Sequence, residues 1–207
     1  MNSKERIGKI LNFQTPDRIG IYDHFLGSTV ESWKADGLPK NTRPEDYFNL
    51  DLDIVKLEDA LTCDLTTDDD KFRVLSFSEP FQRLCEVFGR EDALRKLARD
   101  PKEFKASLEN ETNSLLGSIE KILNKGIVFD GAWAWGDIAY SKGLFFSPSW
   151  YKDNLLGLHK KIFRSLSSKN IFVFFHSEGN MHDVIPSLLE AGVRALHPLE
   201  EEGGMDI

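Results

Sequence analysis

Apolar residues recur along the chain with two different spacings. Short, nearly continuous apolar runs predict six strands, at residues 19–22, 53–57, 72–77, 127–133, 171–175 and 193–197. Apolar residues three or four positions apart predict helices at residues 3–13, 80–98 (with an interruption near Gly89), 101–124, 148–166 and 181–191. From residue 127 onward strands and helices alternate, and this order is typical of βαβ units in a parallel sheet.

Several residues mark where the predicted helices begin and end. Pro101 and Pro148 fit the first helical position, where the missing N–H costs least, and Ser147 fits the N-cap before Pro148. Pro186 is expected to bend or shorten its helix, which Gly192 ends. The last strand has no covering helix after it, although a parallel strand needs both faces buried. We therefore expect a truncated or shortened chain.

Composition and charge narrow the class of protein. The chain of 207 residues, 41% hydrophobic and 29% charged, fits one domain over residues 1–207. A net charge of −8, without a Lys/Arg run longer than two residues, argues against a nucleic-acid partner. No apolar run approaches the roughly 20 residues that span a membrane. The two cysteines form no disulfide framework, which favours a cytoplasmic location. The acidic stretch 66–70 predicts a solvated turn.

Four segments carry a resemblance to a known family. They read ERIGKILNFQTPDRIGI (5–21), FDGAWAWGDIAYSKGLFFSPSWYKDNLLGLHKKI (129–162), FFHSEGNMHDVIPSLLEAGVRAL (174–196) and HPLEEEGGMDI (197–207). In this order they resemble the uroporphyrinogen decarboxylase superfamily, especially its methyltransferase-like branch, which includes cobalamin-dependent methyltransferases. The resemblance implies a TIM-type (β/α)8 barrel, here incomplete with about six strands.

The resemblance also implies a function. We expect a methyltransferase-like enzyme that acts on a small methylated substrate, with a corrinoid (cobalamin) protein as methyl carrier. The arginine-rich motif that binds porphyrin carboxylates in the decarboxylases is absent, so porphyrin decarboxylation is not expected. One alternative is a decarboxylase or lyase of the same superfamily that acts on a small carboxylate. Another is a non-catalytic remnant, which would expose an apolar edge and form a homodimer or aggregate.

The strand FVFFHSEGN contains the first candidate site. His176 and Glu178 are two residues apart, so in a strand they point to the same side, at the end where barrel enzymes build active sites. An imidazole and a carboxylate can together hold zinc or another divalent metal, although further ligands are needed. In zinc-dependent relatives the motif is His-x-Cys, and Glu178 stands in place of that cysteine. The alternative is a polar strand end in which Glu178 caps the next helix.

A second candidate follows the strand that contains two tryptophans. Asp137 comes directly after Trp135-Gly136, and a carboxylate beside an apolar wall can act as an acid or base. Trp135 and Tyr140 are candidates to contact the substrate, with core packing as the alternative. Four further residues follow predicted strands and are expected on the same rim: Asp23, His24, Glu79 and Glu200.

Overall fold

The computed structural model describes residues 1–63 and 70–205. Five parallel strands form one sheet, and a short antiparallel hairpin lies apart from it. The strands are β1 (Leu52–Lys56), β2 (Phe72–Ser78), β3 (Gly131–Trp135), β4 (Ala139–Tyr140), β5 (Gly143–Leu144), β6 (Phe172–His176) and β7 (Val193–His197). The sheet has the order β1-β2-β3-β6-β7.

Ten α-helices surround or flank the sheet in the described part of the chain. They are α1 (Ser3–Leu11), α2 (Gly27–Ala35), α3 (Pro44–Tyr47), α4 (Leu57–Thr62), α5 (Pro80–Phe88), α6 (Arg90–Arg99), α7 (Pro101–Asn124), α8 (Pro148–Trp150), α9 (Leu156–Ser167) and α10 (Ile185–Ala191). A π-helical turn, Tyr151–Leu155, joins α8 to α9, and a 3-10 turn, His182–Val184, precedes α10.

The α/β class and the parallel sheet are confirmed, and the architecture is that of an incomplete TIM-like barrel. Five of the six predicted strands are present within a few residues of their expected bounds. No closed barrel forms among residues 1–63 and 70–205. The acidic stretch 66–70 falls almost wholly outside the described residues.

The prediction of a strand at residues 19–22 is wrong. These residues have no regular secondary structure, because their backbone bonds to Arg18 and Asp51 instead of to a neighbouring strand. The Ile21 N–H donates to the Asp51 carboxylate at 2.7 Å, and the Ile21 carbonyl accepts from the Asp51 N–H at 2.9 Å. Asp51 is fully buried and also binds the guanidinium groups of Arg6 and Arg18. The segment is therefore held by an ion-pair cluster.

Side chains of the sheet alternate between two apolar layers, as strand geometry requires. One layer faces α4, α5, α7 and α9 and includes Leu75, Ala132 and Phe175. The other layer lies on the opposite, barrel-interior face, where Trp133 and Phe174 pack with residues of α1. Near-continuous apolar sequence in these strands follows from burial on both faces.

The predicted helix signals are confirmed by the observed caps. The Ser147 hydroxyl accepts from the Trp150 N–H at 3.1 Å, with Pro148 in the first turn. Gly192 has a left-handed conformation, with φ 107°, and ends α10. Pro186 lies in the first turn of α10, which explains why this helix begins later than residue 181. No helix in the described part of the chain is long and apolar enough to cross a membrane.

Candidate functional site

The carboxyl ends of three neighbouring strands bring an aromatic row together. Trp135 of β3, His176 of β6 and His197 of β7 are successive partners in the strand register. The ring centroid of His176 lies 4.1 Å from that of Trp135 and 5.1 Å from that of His197. In sheets of this kind, sites form beyond the carboxyl ends of the strands. This row is the candidate site.

The two histidines of the row bond directly to each other. Nδ1 of His176 lies 2.8 Å from Nδ1 of His197, so one of these nitrogens carries the hydrogen and the other accepts it. Burial lowers the pKa of His197, and the nearby charge of protonated His176 lowers it further. His197 is therefore neutral at neutral pH. The rule that singled out His176, a polar residue that ends a strand, applies equally to His197, which was not among the predicted site residues.

Asp137 faces the other side of His176. Its Oδ1 lies 3.5 Å from Nε2 of His176 and accepts the backbone N–H of Glu178 at 3.3 Å. The hydrogen bond to His176 lowers the pKa of Asp137, and the Glu178 N–H and the charge of Arg90 act in the same direction, against the effect of burial. The predicted Asp137 and His176 thus meet in one site.

The tautomers of His176 and His197 follow from the fact that the Asp137 carboxylate can only accept hydrogen bonds. An ionised Asp137 only accepts, so Nε2 of His176 carries the hydrogen that faces it. When His176 is neutral its Nδ1 is then an acceptor, and Nδ1 of His197 donates to it. Nε2 of His197 is left with a free lone pair. The arrangement Asp137–His176–His197 orients His197 as a base.

Arg90, at the start of α6, binds Asp137 through its guanidinium group. Its guanidinium donates to the backbone carbonyl of Asp137, to Oδ2 of Asp137 at 3.2 Å and to Oε1 of Gln82 at 3.2 Å. The same guanidinium lies 5.0 Å from the ring centroid of Phe145, a cation–π contact. Sequence reasoning missed Arg90, because a basic residue at a helix start gives no sign of a partner 47 positions away.

Glu178 is exposed and lies outside the strand. Because β6 ends at His176, the alternation that predicted convergence of His176 and Glu178 does not extend to residue 178. Glu178 lines a cavity of about 480 Å³ together with Asp137, Tyr140 and Glu200. Glu178 does not cap α10, which begins seven residues later. The strand end therefore places Glu178 beside Asp137, within one cavity.

The predicted metal site requires donors that the described residues do not bring together. No group of three or more His, Cys, Asp or Glu side chains in this part of the chain is placed to hold a metal ion. Both imidazole nitrogens of His176 face other side chains of the site, one His197 and the other Asp137. Among residues 1–63 and 70–205, His176 and Glu178 thus have no third ligand beside them, and we derive no step through a metal.

Gly179 brings Tyr140 against the end of β6. A Cβ at Gly179, where φ is 84°, would lie 2.5 Å from the backbone of Tyr140, so only glycine allows this approach. The Asn180 N–H donates to the Tyr140 carbonyl at 2.9 Å. The Tyr140 ring, half exposed, stacks on Phe145 at 5.6 Å. Tyr140 thus forms an aromatic side of the cavity.

The structure separates Asp23 and His24 from this cavity. Both are exposed and line a smaller cavity of about 170 Å³ at the edge of β1, with Arg43, Glu45 and Lys56 among its other residues. The Asp23 carboxylate accepts the backbone N–H of His24 at 2.8 Å. Because the strand predicted at 19–22 is absent, they do not follow a strand, and they do not line the cavity that contains Asp137.

Glu79 is fully buried and does not line the cavity. Its carboxylate caps α5 by accepting the N–H groups of Phe81 and Gln82, at 3.0 and 2.6 Å. It also bonds Nε2 of His159 at 2.9 Å, and Nδ1 of His159 bonds the Tyr151 hydroxyl at 3.0 Å. The three hydrogen-bonded side chains are inaccessible to solvent: Glu79, His159 and Tyr151. Glu79 therefore has a structural role, as the cap of α5 and the partner of His159.

Comparison with known proteins identifies the architecture. No protein-family model and no curated protein matches the sequence. In structure the chain is similar to a methyltransferase from Methanosarcina mazei, with a TM-score of 0.68 at 13% identity, over 95% of this chain and 75% of that one. At this identity the likeness shows a shared fold.

Proposed function

We propose that the protein is a methyltransferase-like enzyme that moves a methyl group between a small substrate and a corrinoid carried by a partner protein. The observation that supports this proposal is the Asp137–His176–His197 chain at the carboxyl ends of three adjacent strands. The fold shared with a methyltransferase, and the four segments that resemble the superfamily, agree with it.

The chain Asp137–His176–His197 supplies proton chemistry to such a reaction. When the methyl group arrives on a heteroatom that carries hydrogen, that heteroatom must lose its proton, and Nε2 of His197 takes it. In the reverse direction the C–heteroatom bond breaks, its electron pair stays on the heteroatom, and His197 returns the proton. The corrinoid provides or accepts the methyl group. Asp137 acts through His176, by fixing its tautomer.

The cavity beside the row provides room for the substrate. Tyr140 forms one side, and Glu178 and Glu200 lie at the exposed rim. Arg90 and Asp137 hold each other at its inner side. We propose Trp135 as the indole wall next to His176, since its ring is closest to that imidazole among the row's contacts. Asp137 connects this cavity to His197 through His176.

The experiment is anaerobic methyl transfer with the purified protein. Cob(I)alamin is supplied with a set of methyl ethers, methyl thioethers and methylamines, and methylcobalamin formation is followed by absorbance. The proposal expects formation faster than in the protein-free control for at least one class. Release of CO₂ from small carboxylates without methylcobalamin would favour the decarboxylase alternative. Parallel samples with added Zn²⁺ and after chelation test the predicted metal requirement.

A further inference from the structure

The interior face of the sheet contains a buried hydrogen-bond donor without an acceptor. Trp133 and Trp135 lie two residues apart on this face, with nearly parallel rings. The indole N–H of Trp135 donates to the Ser76 hydroxyl at 2.7 Å. The indole N–H of Trp133, a residue only 3% exposed, has no hydrogen-bond partner among the described residues. A buried donor that is left unpaired loses the hydrogen bonds that it would make in water, which is unfavourable.

Three aromatic side chains pack against the indole ring of Trp133. Tyr22 packs on it with centroids 4.8 Å apart, Phe174 stacks at 5.5 Å, and His197 meets it edge-on at 5.0 Å. Of these three neighbours only Tyr22 lies outside a strand, so displacing its ring leaves the sheet in place. Trp133 thus connects His197 of the candidate site to the interior face.

An apolar cavity lies beside two of the residues that contact Trp133. It measures about 400 Å³ and lies between α1 and the sheet, where its walls include Leu11, Leu52, Tyr22 and Phe174. The last two are the residues that contact Trp133. No charged side chain lines it in the described part of the chain. A charged ligand would pay a large desolvation cost there, whereas a neutral apolar molecule would not.

We propose that this cavity binds a neutral, apolar molecule with a single hydrogen-bond acceptor, which displaces the Tyr22 ring and accepts the indole N–H of Trp133. A methyl ether or methyl thioether has this chemistry, because its heteroatom accepts but has no hydrogen to donate. The inference does not rest on the proposed function, whose substrate lies in the other cavity, beside Asp137. The binding itself requires no corrinoid.

The test compares two probes that differ in one acceptor. Anisole and toluene have similar apolar bodies, but only anisole has an ether oxygen. We expect anisole to bind the wild-type protein about three- to tenfold more tightly than toluene, the ratio that one net hydrogen bond supplies. In Trp133→Phe, which keeps a ring and removes the N–H, the ratio should fall to about one. In the matched control Trp135→Phe the ratio should persist.

A second measurement keeps the inference falsifiable if Trp133→Phe does not fold. In wild-type protein the ¹H–¹⁵N signal of the Trp133 indole should shift with anisole and not with toluene, while the Trp135 signal shifts with neither. Equal affinities for the two probes, or an indole N–H that contacts only an ordered water in the presence of anisole, would overturn the inference. Methyl-transfer activity does not enter either readout, so failure of the proposed function is seen separately.

Discussion

Nδ1 of His176 lies 2.8 Å from Nδ1 of His197, at the adjoining ends of β6 and β7. With Asp137 on the far side of His176, this contact fixes which nitrogen of each ring carries hydrogen. The expected result is Nε2–H on His176 and Nδ1–H on His197. Imidazole ¹⁵N spectra at neutral pH report the tautomers directly, and the opposite tautomer on His197 would remove its role as a base.

Asp137→Asn should change the tautomer and the chemistry together. A carboxamide can turn either a donor or an acceptor toward His176, so the tautomer is no longer imposed. If Asp137 orients the chain, methyl transfer should fall by about 10²-fold or more, within the range of lost acid–base catalysis. Asp153→Asn, an exposed aspartate that does not line this cavity, is the matched control and should keep most activity. Equal losses in both variants would contradict the assignment.

The His197 imidazole should make folding stability depend on pH. Its pKa is lowered in the folded protein, so between that value and the unfolded value of about 6.5 the unfolded chain binds more protons. This contribution is fully present above about pH 6.5 and is lost as the pH falls through the folded pKa. His197→Gln should therefore flatten the decline in unfolding free energy over this window. Chemical denaturation at several pH values measures this decline, and an unchanged decline in His197→Gln would contradict the assignment.

Arg90 should control the position of Asp137. Arg90→Met removes the donors to the Asp137 carbonyl and to Oδ2, so the Glu178 N–H that binds Oδ1 should change its chemical shift. Arg90→Lys keeps the charge and should recover part of the wild-type shift. Arg95→Met is the control on the same helix, since Arg95 pairs with exposed Glu91 and should leave the signal unchanged. An unmoved Glu178 signal in Arg90→Met would show that Asp137 needs no such support.

Gly136 should be intolerant of a methyl group. A Cβ there would lie 2.3 Å from Cγ of Glu79, 3.0 Å from its Cδ and 3.1 Å from Cζ of Phe175, all in fully buried side chains. Gly136→Ala should lower the free energy of unfolding by about 1–3 kcal/mol through overpacking. Gly117→Ala, inside α7 with nothing within 4 Å of its Cβ, should instead raise it by up to about 1 kcal/mol. Thermal denaturation of the pair separates the two outcomes.

The sequence predicted best the features that depend on local periodicity. The five strands of the sheet, the split of the 80–98 helical stretch at Gly89 and the cap at Ser147 all follow from neighbours in the chain. His176 was predicted because it ends a strand. The 19–22 strand was wrong because Asp51, 30 residues from Ile21, takes the backbone bonds that a neighbouring strand would have made.

Contacts between distant residues account for what the sequence did not predict. Glu79 was expected on the rim because it ends a strand, but His159, 80 residues away, bonds it inside the protein. Arg90 reaches Asp137 across 47 residues, and Trp133 differs from Trp135 only because Ser76 reaches one indole and not the other. Such pairings depend on how the elements pack, which periodicity does not describe.

The central claim is that His197, oriented by Asp137 through His176, handles the proton in methyl transfer. It is tested most directly by the rate of methylcobalamin formation with purified wild-type protein and with His197→Gln, using the substrate class that gives the highest wild-type rate. Circular dichroism of both proteins checks that the fold is kept. The account predicts a wild-type rate above the protein-free control and a decrease of about 10²-fold or more in His197→Gln. A folded His197→Gln protein with the wild-type rate would contradict it.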